Sequence, residues 1–189
     1  VLRETGLRLW VIGGEEEARL SAQGVLLGWP GADGLLCDIG GSSMELAVIA
    51  DGKVGKRMTA PLGPLRLEGI KGGKKGRKAE IDRNLDRLVD VVGTGHKRLF
   101  LVGGSWRAIA RLDMERREYP LHVLHEYRMT PRSVVATVKW IADNDLTELR
   151  GRTDTSEARM SLVPVASEVL RRLVRRLRPA EIAVSAYGI

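Results

Sequence analysis

The alternation of apolar and polar positions predicts a short strand over Leu7–Ile12, which closes on Trp10, Val11 and Ile12. Gly13-Gly14 breaks it. Glu15-Glu16-Glu17 then opens a helix to about Leu27, with three acids facing the positive end of the helix dipole. Gly28-Trp29-Pro30-Gly31-Ala32-Asp33-Gly34 is a turn-rich connector and the best boundary in the chain. Strands follow over Leu35–Ile39 and Met44–Ala50, joined by Gly40-Gly41-Ser42-Ser43. Asp51-Gly52 is a two-residue hairpin signal leading to a strand from Lys53 to about Thr59. This succession reads as the antiparallel start of a sheet.

Beyond Leu62–Leu67 the period becomes helical, with Ile81, Leu85, Leu88 and Val92 on one face. Lys71–Lys78 interrupts it and reads as a solvated Gly-rich loop, or as a grip for a polyphosphate or nucleic-acid backbone. Lys97–Val102 is a further strand, and Gly103-Gly104-Ser105 leads into a helix through Leu112. Thr130-Pro131 caps a helix presenting Val134, Val135, Val138 and Ile141. Ser156–Leu177 is helical with a break at Pro164, and Ile182–Val184 is a last strand. Three strands in a row, then strands alternating with helices, predict an α/β domain with a mixed sheet flanked by helices.

Composition narrows the classes. The 189 residues hold 31 Lys+Arg against 24 Asp+Glu, a formal charge of +7, which asks for an anionic partner. No apolar run is long enough to span a membrane, and the N-terminus lacks a signal peptide, so a cytoplasmic setting is expected. A lone Cys37 excludes an internal disulfide framework and reads as core. His96, His122 and His125 show no metal spacing, and Trp106 and Trp140 read as packing residues. Arg171, Arg172, Arg175 and Arg176 sit opposite Leu170, Leu173, Val174 and Leu177 and read as a solvated helix face.

Candidate chemistry concentrates in Asp38-Ile39-Gly40-Gly41-Ser42-Ser43-Met44-Glu45. Glycines let backbone N–H groups approach phosphate oxygens, hydroxyls add donors, and the carboxylates of Asp38 and Glu45 suit Mg²⁺ beside the phosphate. A tight β-turn with acidic decoration fits the same spacing. Gly103-Gly104-Ser105 offers a helix N-terminus reached through glycines, an anion site or a plain structural turn. Neither stretch is a dinucleotide fingerprint or a P-loop. Among Glu15, Glu16 and Glu17, one carboxylate near bound phosphates would orient and deprotonate an attacking water, unless the cluster only starts the helix.

Val11-Ile-Gly-Gly-Glu-Glu-Glu-Ala-Arg-Leu20, Asp38–Leu46, Pro61-Leu-Gly-Pro-Leu-Arg-Leu67 and Val102-Gly-Gly-Ser105, in that order, resemble the exopolyphosphatases and guanosine pentaphosphate phosphohydrolases of the Ppx/GppA family. Ser185-Ala-Tyr-Gly-Ile189 is similar to the start of that family's late motif. The resemblance implies a ribonuclease-H-like lobe of the actin-like ATPase superfamily. It also implies hydrolysis of the terminal phosphoanhydride of polyphosphate or pppGpp with Mg²⁺. It assigns the catalytic base to Glu17, metal and substrate handling to Asp38 and Glu45, and phosphate binding to Gly40, Gly41, Ser42, Ser43, Gly103, Gly104 and Ser105. The family's first phosphate loop is missing from these residues. Residues 1–30 then read as the end of a first lobe and 31–189 as a second lobe truncated at its C-terminus. No nucleic-acid or membrane partner is expected, and a homodimer is compatible. Ser42 stands where the family has glycine and Met44 where it has a hydroxyl; both departures motivate an alternative, a degenerate member that binds such phosphates without cleaving them.

Overall fold

The computed structural model describes residues 2–188. Along the chain run α1 (Leu2–Thr5), α2 (Gly14–Gly28), β1 (Gly34–Ile39), β2 (Met44–Ala50), β3 (Lys53–Ala60), α3 (Pro64–Glu68) and α4 (Gly73–Val92). β4 (Arg98–Val102), α5 (Gly104–Arg116), β5 (Arg128–Met129), α6 (Pro131–Asp143), α7 (Leu146–Gly151), α8 (Glu157–Met160), α9 (Val163–Leu177) and β6 (Glu181–Val184) complete it. The sheet has six strands in the order β3-β2-β1-β4-β6-β5. β3, β2 and β1 are antiparallel neighbours, β4 and β6 run parallel to β1, and β5 closes the far edge antiparallel to β6. This is the mixed sheet the strand pattern predicts.

Every residue of β1 is buried, so both faces of the strand are covered. Leu35, Cys37 and Ile39 point into a large core built with Ile81, Leu85 and Leu88 of α4, Ile109 of α5 and Leu173 of α9. Leu36 points the other way and joins Ala47, Ile49 and Phe100 beneath Ala18, Ala22 and Val25 of α2. The small alanines let α2 lie close on the sheet. The Asp51-Gly52 hairpin forms as predicted, with φ of 52° and 70° at its two residues, the pair of left-handed conformations that matches strand twist. Thr130 caps α6 by accepting a hydrogen bond from the Ser133 N–H, with Pro131 in the first turn.

Four expectations change. Leu7–Ile12 forms no strand: no strand of the sheet pairs with it, and Trp10 and Val11 are exposed. The basic run is no loop beyond Lys71 and Gly72, because α4 already begins at Gly73. Val135 lies 52% exposed and Thr137 takes its place on the buried face of α6. The arginine face of α9 is only partly solvated. Arg172 and Arg176 both reach Asp82 at 2.6 Å, Arg176 reaches Asp86 at 2.7 Å, and Arg77 reaches Glu168 at 3.5 Å. That ladder runs α4 and α9 side by side in the same direction. Cys37 and Trp106 are buried as expected, and Trp140 packs against the core. Ile189 lies outside the described residues. Among those residues no helix is long and apolar enough to cross a membrane.

Candidate active site

Asp38 is directly opposite Glu45 in the β1–β2 pair, and Glu45 is opposite Thr59 in the β2–β3 pair. Paired residues share a face, so the three side chains form a row across the sheet, on the side covered by α2. The row depends on a defect. A regular two-residue hairpin would set Met58 against Glu45, but a register shift between Ala47 and Ile49 brings Thr59 there instead. The Thr59 hydroxyl then donates to Glu45 Oε1 at 2.8 Å.

Glu45 is fully buried, and its Oε2 has no hydrogen-bond partner among the described residues. Burial pushes its carboxyl above the ordinary value, opposed by the Ser43 and Thr59 hydroxyls and reinforced by the charges of Glu17 and Asp38. Asp38 is also buried and pushed up by desolvation, against the Ser21 hydroxyl, the Ile39 N–H and the cation of Arg107. Ser21, one helical turn after Glu17, donates to Asp38 Oδ2 and pins α2 to the end of β1. Of the three acids opening α2, Glu16 is held by Arg19 at 2.6 Å and Glu15 is exposed. Glu17 is half-buried, without an ion-pair partner among the described residues, and near enough to Glu45 for its charge to act there. The sequence-assigned carboxylates therefore come together.

The two glycine turns also meet. They follow β1 and β4, which are parallel neighbours, so both sit at the same end of the sheet. Gly103 has φ of 109°, and a Cβ there would lie 2.6 Å from the Ile39 carbonyl oxygen and 3.1 Å from Asp38 Oδ1. Only glycine fits. Gly41 is held from above by α3, whose Leu65 N–H donates to the Gly41 carbonyl at 3.0 Å. A cavity of about 340 Å³ opens over the turns, lined by Gly40, Gly41, Gly104, Ser105, Ser156 and Arg159 among others. Ser105 is buried, at the first turn of α5, and no side chain caps that helix. The Arg159 guanidinium lies against Gly104, where a Cβ would come within 2.7 Å of its Nε, and it makes no ion pair among the described residues. Glu17, Asp38 and Glu45 lie on the α2 side of the turns, outside this cavity's lining.

The two departures from the family pattern lie in different surroundings. Ser42 is exposed and does not take a left-handed φ, so its Cβ costs no backbone strain. Met44 is fully buried in the core on the sheet face opposite Glu45, so a hydroxyl there would not reach the turns. Among the described residues no three His, Cys, Asp or Glu side chains converge on a cation-sized point. Mg²⁺, however, is commonly held by one or two carboxylates plus substrate oxygens and water. The unpartnered Oε2 of Glu45 beside Asp38 fits that mode. Ser21 was findable from helical spacing alone. Thr59 and Arg159 carried no local signal, because the bulge and the folded chain place them.

Known structures share this fold. An exopolyphosphatase-like protein superposes with a TM-score of 0.81 at 23% identity, over 99% of this chain and 66% of its own. An exopolyphosphatase from Cytophaga hutchinsonii gives 0.81 at 19% identity, over 99% and 64%. A Ppx/GppA family member from Aquifex aeolicus gives 0.78 at 20%, over 99% and 63%. A comparison with curated proteins gives no match. The likeness shows that the chain shares the fold of these proteins, a mixed sheet flanked by helices. The chain spans just under two thirds of the length of these proteins. The sequence model of the Ppx/GppA phosphatases matches residues 1–189, the length over which the carboxylate row and glycine turns lie in order, and so the chain belongs to the Ppx/GppA phosphatase family.

Proposed function

We propose that this chain carries the catalytic base and one phosphate-binding wall of a phosphohydrolase that cleaves terminal phosphoanhydrides of polyphosphate or pppGpp. The observation that carries the reading is the meeting of Glu17, Asp38 and Glu45 beside the two glycine turns. Glu17 accepts the proton of the attacking water. Backbone N–H groups of Gly41–Ser43 and of Gly103–Ser105 hold the terminal phosphate, Gly40 shaping the turn by donating its N–H to the Ser43 carbonyl, with Arg159 as the cation lining the cavity above them. Catalysis rests on positioning and electrostatics, since the shortened phosphate chain is already a good leaving group. Asp38 and Glu45 would hold Mg²⁺, which when bound neutralises phosphate charge. Residues 1–30 would join a first lobe to the second, 31–189, on whose sheet α2 packs, and the substrate would lie between the lobes. The exposure of Ser42 and the burial of Met44 away from the turns support this reading over a degenerate member that binds such phosphates without cleaving them.

The test is Glu17→Gln in the full-length protein, assayed for phosphate release from polyphosphate and from pppGpp, with and without Mg²⁺. Turnover is expected to fall about 10²–10⁴-fold with KM little changed. Unchanged turnover removes Glu17 from the role.

A further inference from the structure

A second hollow lies away from the glycine turns. A groove of about 650 Å³ runs between the C-terminal halves of α4 and α9, and five arginines line it: Arg171, Arg172, Arg175, Arg176 and Arg178. Asp82 and Asp86 are its only acids. Both are already engaged, Asp82 by Arg172 and Arg176 and Asp86 by Arg176. Arg171, Arg175 and Arg178 have no carboxylate partner among the described residues. The same three also line an adjoining cavity of about 490 Å³ beside Pro131 and Val135, which contains no acid. They form a cationic ridge shared by two hollows.

Helix dipoles do not account for this charge. α4 and α9 run in the same direction and end side by side, so their C-termini contribute about one negative charge together, at roughly half a charge each. Three unpaired arginines exceed that by about two charges. Nor do they belong to the site described above. α4 leads into β4 and α9 into β6, so these helix ends lie at the N-terminal ends of parallel strands, whereas the glycine turns lie at the C-terminal ends. The 5 residues of β4 alone separate the two by about 16 Å.

We propose that this groove is a second anion site that binds a chain of phosphate groups. Two arginines are pre-oriented by aspartates while three present free guanidinium forks, a geometry suited to bridging phosphate oxygens. A cavity of this size holds several linked phosphates rather than one. At the opposite end of the sheet from the glycine turns, it would retain a long anion while a chain end occupies the other site, raising its effective concentration there.

The experiment is calorimetric titration of the protein with inorganic tripolyphosphate, alongside Arg171→Gln/Arg175→Gln and, separately, Arg159→Gln. Arg178→Asn serves as an independent groove variant, because asparagine tolerates the left-handed φ of 51° found there. The wild type is expected to bind two equivalents. Both groove variants should weaken one of them by at least about tenfold, with a shallower salt dependence and an unchanged unfolding temperature. Arg159→Gln should weaken only the other. Groove variants that titrate like the wild type overturn the proposal. So does a single-stranded oligodeoxynucleotide held by the groove that tripolyphosphate cannot displace at matched salt. If the groove variants lose an equivalent and Arg159→Gln loses none, the groove stands and the placing of Arg159 beside the terminal phosphate falls.

Discussion

Glu45→Gln should make the protein more stable while disabling the site. The side chain is fully buried, its Oε2 has no partner, and the charges of Glu17 and Asp38 act against it. A buried polar atom without a partner costs about 1–3 kcal/mol. The carboxamide keeps an oxygen to accept from Thr59 and leaves its NH2 as unpartnered as Oε2 was, but it carries no charge to desolvate or to be repelled by Glu17 and Asp38, and a gain of about 1–2 kcal/mol is expected from that at neutral pH. The sign of the pH dependence is the unusual one. The folded carboxyl titrates above its unfolded value, so the folded state binds more protons between the two values and loses stability as pH rises through that window. Glu45→Gln should remove this part of the slope. The assay is urea unfolding at neutral pH and near the ordinary carboxylate value, each with and without Mg²⁺. The midpoint should rise by about 0.5–1 M, since urea slopes run about 1–3 kcal/mol per molar. Mg²⁺ should stabilise the wild type and not the variant. A variant no more stable than the wild type at neutral pH would refute the claim that Glu45 is held at a cost.

Gly103→Ala should lower the unfolding temperature markedly, because its φ of 109° and the Ile39 oxygen 2.6 Å from the new Cβ both resist it; thermal melts near the wild-type value would show the turn to be slack. Asp113, fully buried, accepts from Ser133 at 2.7 Å, Tyr127 at 2.7 Å and Arg116 at 2.9 Å, and also from Thr137. Asp113→Asn should cost about 3 kcal/mol or more in chemical denaturation. Burial would raise the Asp113 carboxyl, yet these donors hold it below the ordinary value. Its contribution is therefore present above the unfolded value and lost as pH falls toward the folded one, and acid unfolding of the variant should be correspondingly shallower.

The sequence makes most of the sheet legible because β1 to β3 carry their own punctuation: Asp51-Gly52 sets the hairpin, and the glycines after Ile39 and Val102 end strands. Leu7–Ile12 misled because period alone does not supply a neighbouring strand to bond. Gly72, Gly73 and Gly76 made Lys71–Lys78 read as a loop, whereas the buried row Ile81, Leu85, Leu88 and Val92 carries the helix back through them. The acids of the site stood out by spacing, since the short turn after Ile39 sets Asp38 against Glu45. Thr59 did not, because one bulge residue decides which side chain faces the site. Arg159 and the pairing of Arg172 with Asp82 are products of the folded chain, the latter across 90 residues.

The ladder between α4 and α9 bears on the order of folding. Its rungs join positions about 90 residues apart, and the intervening chain holds β4 and α5 through α8. Closing so long a loop is entropically costly until that intervening chain has condensed. Rungs formed after the intervening chain has condensed would act as a latch: Asp82→Asn is then expected to speed unfolding and leave the refolding rate unchanged, and slower refolding of that variant would place the rungs in the folding nucleus.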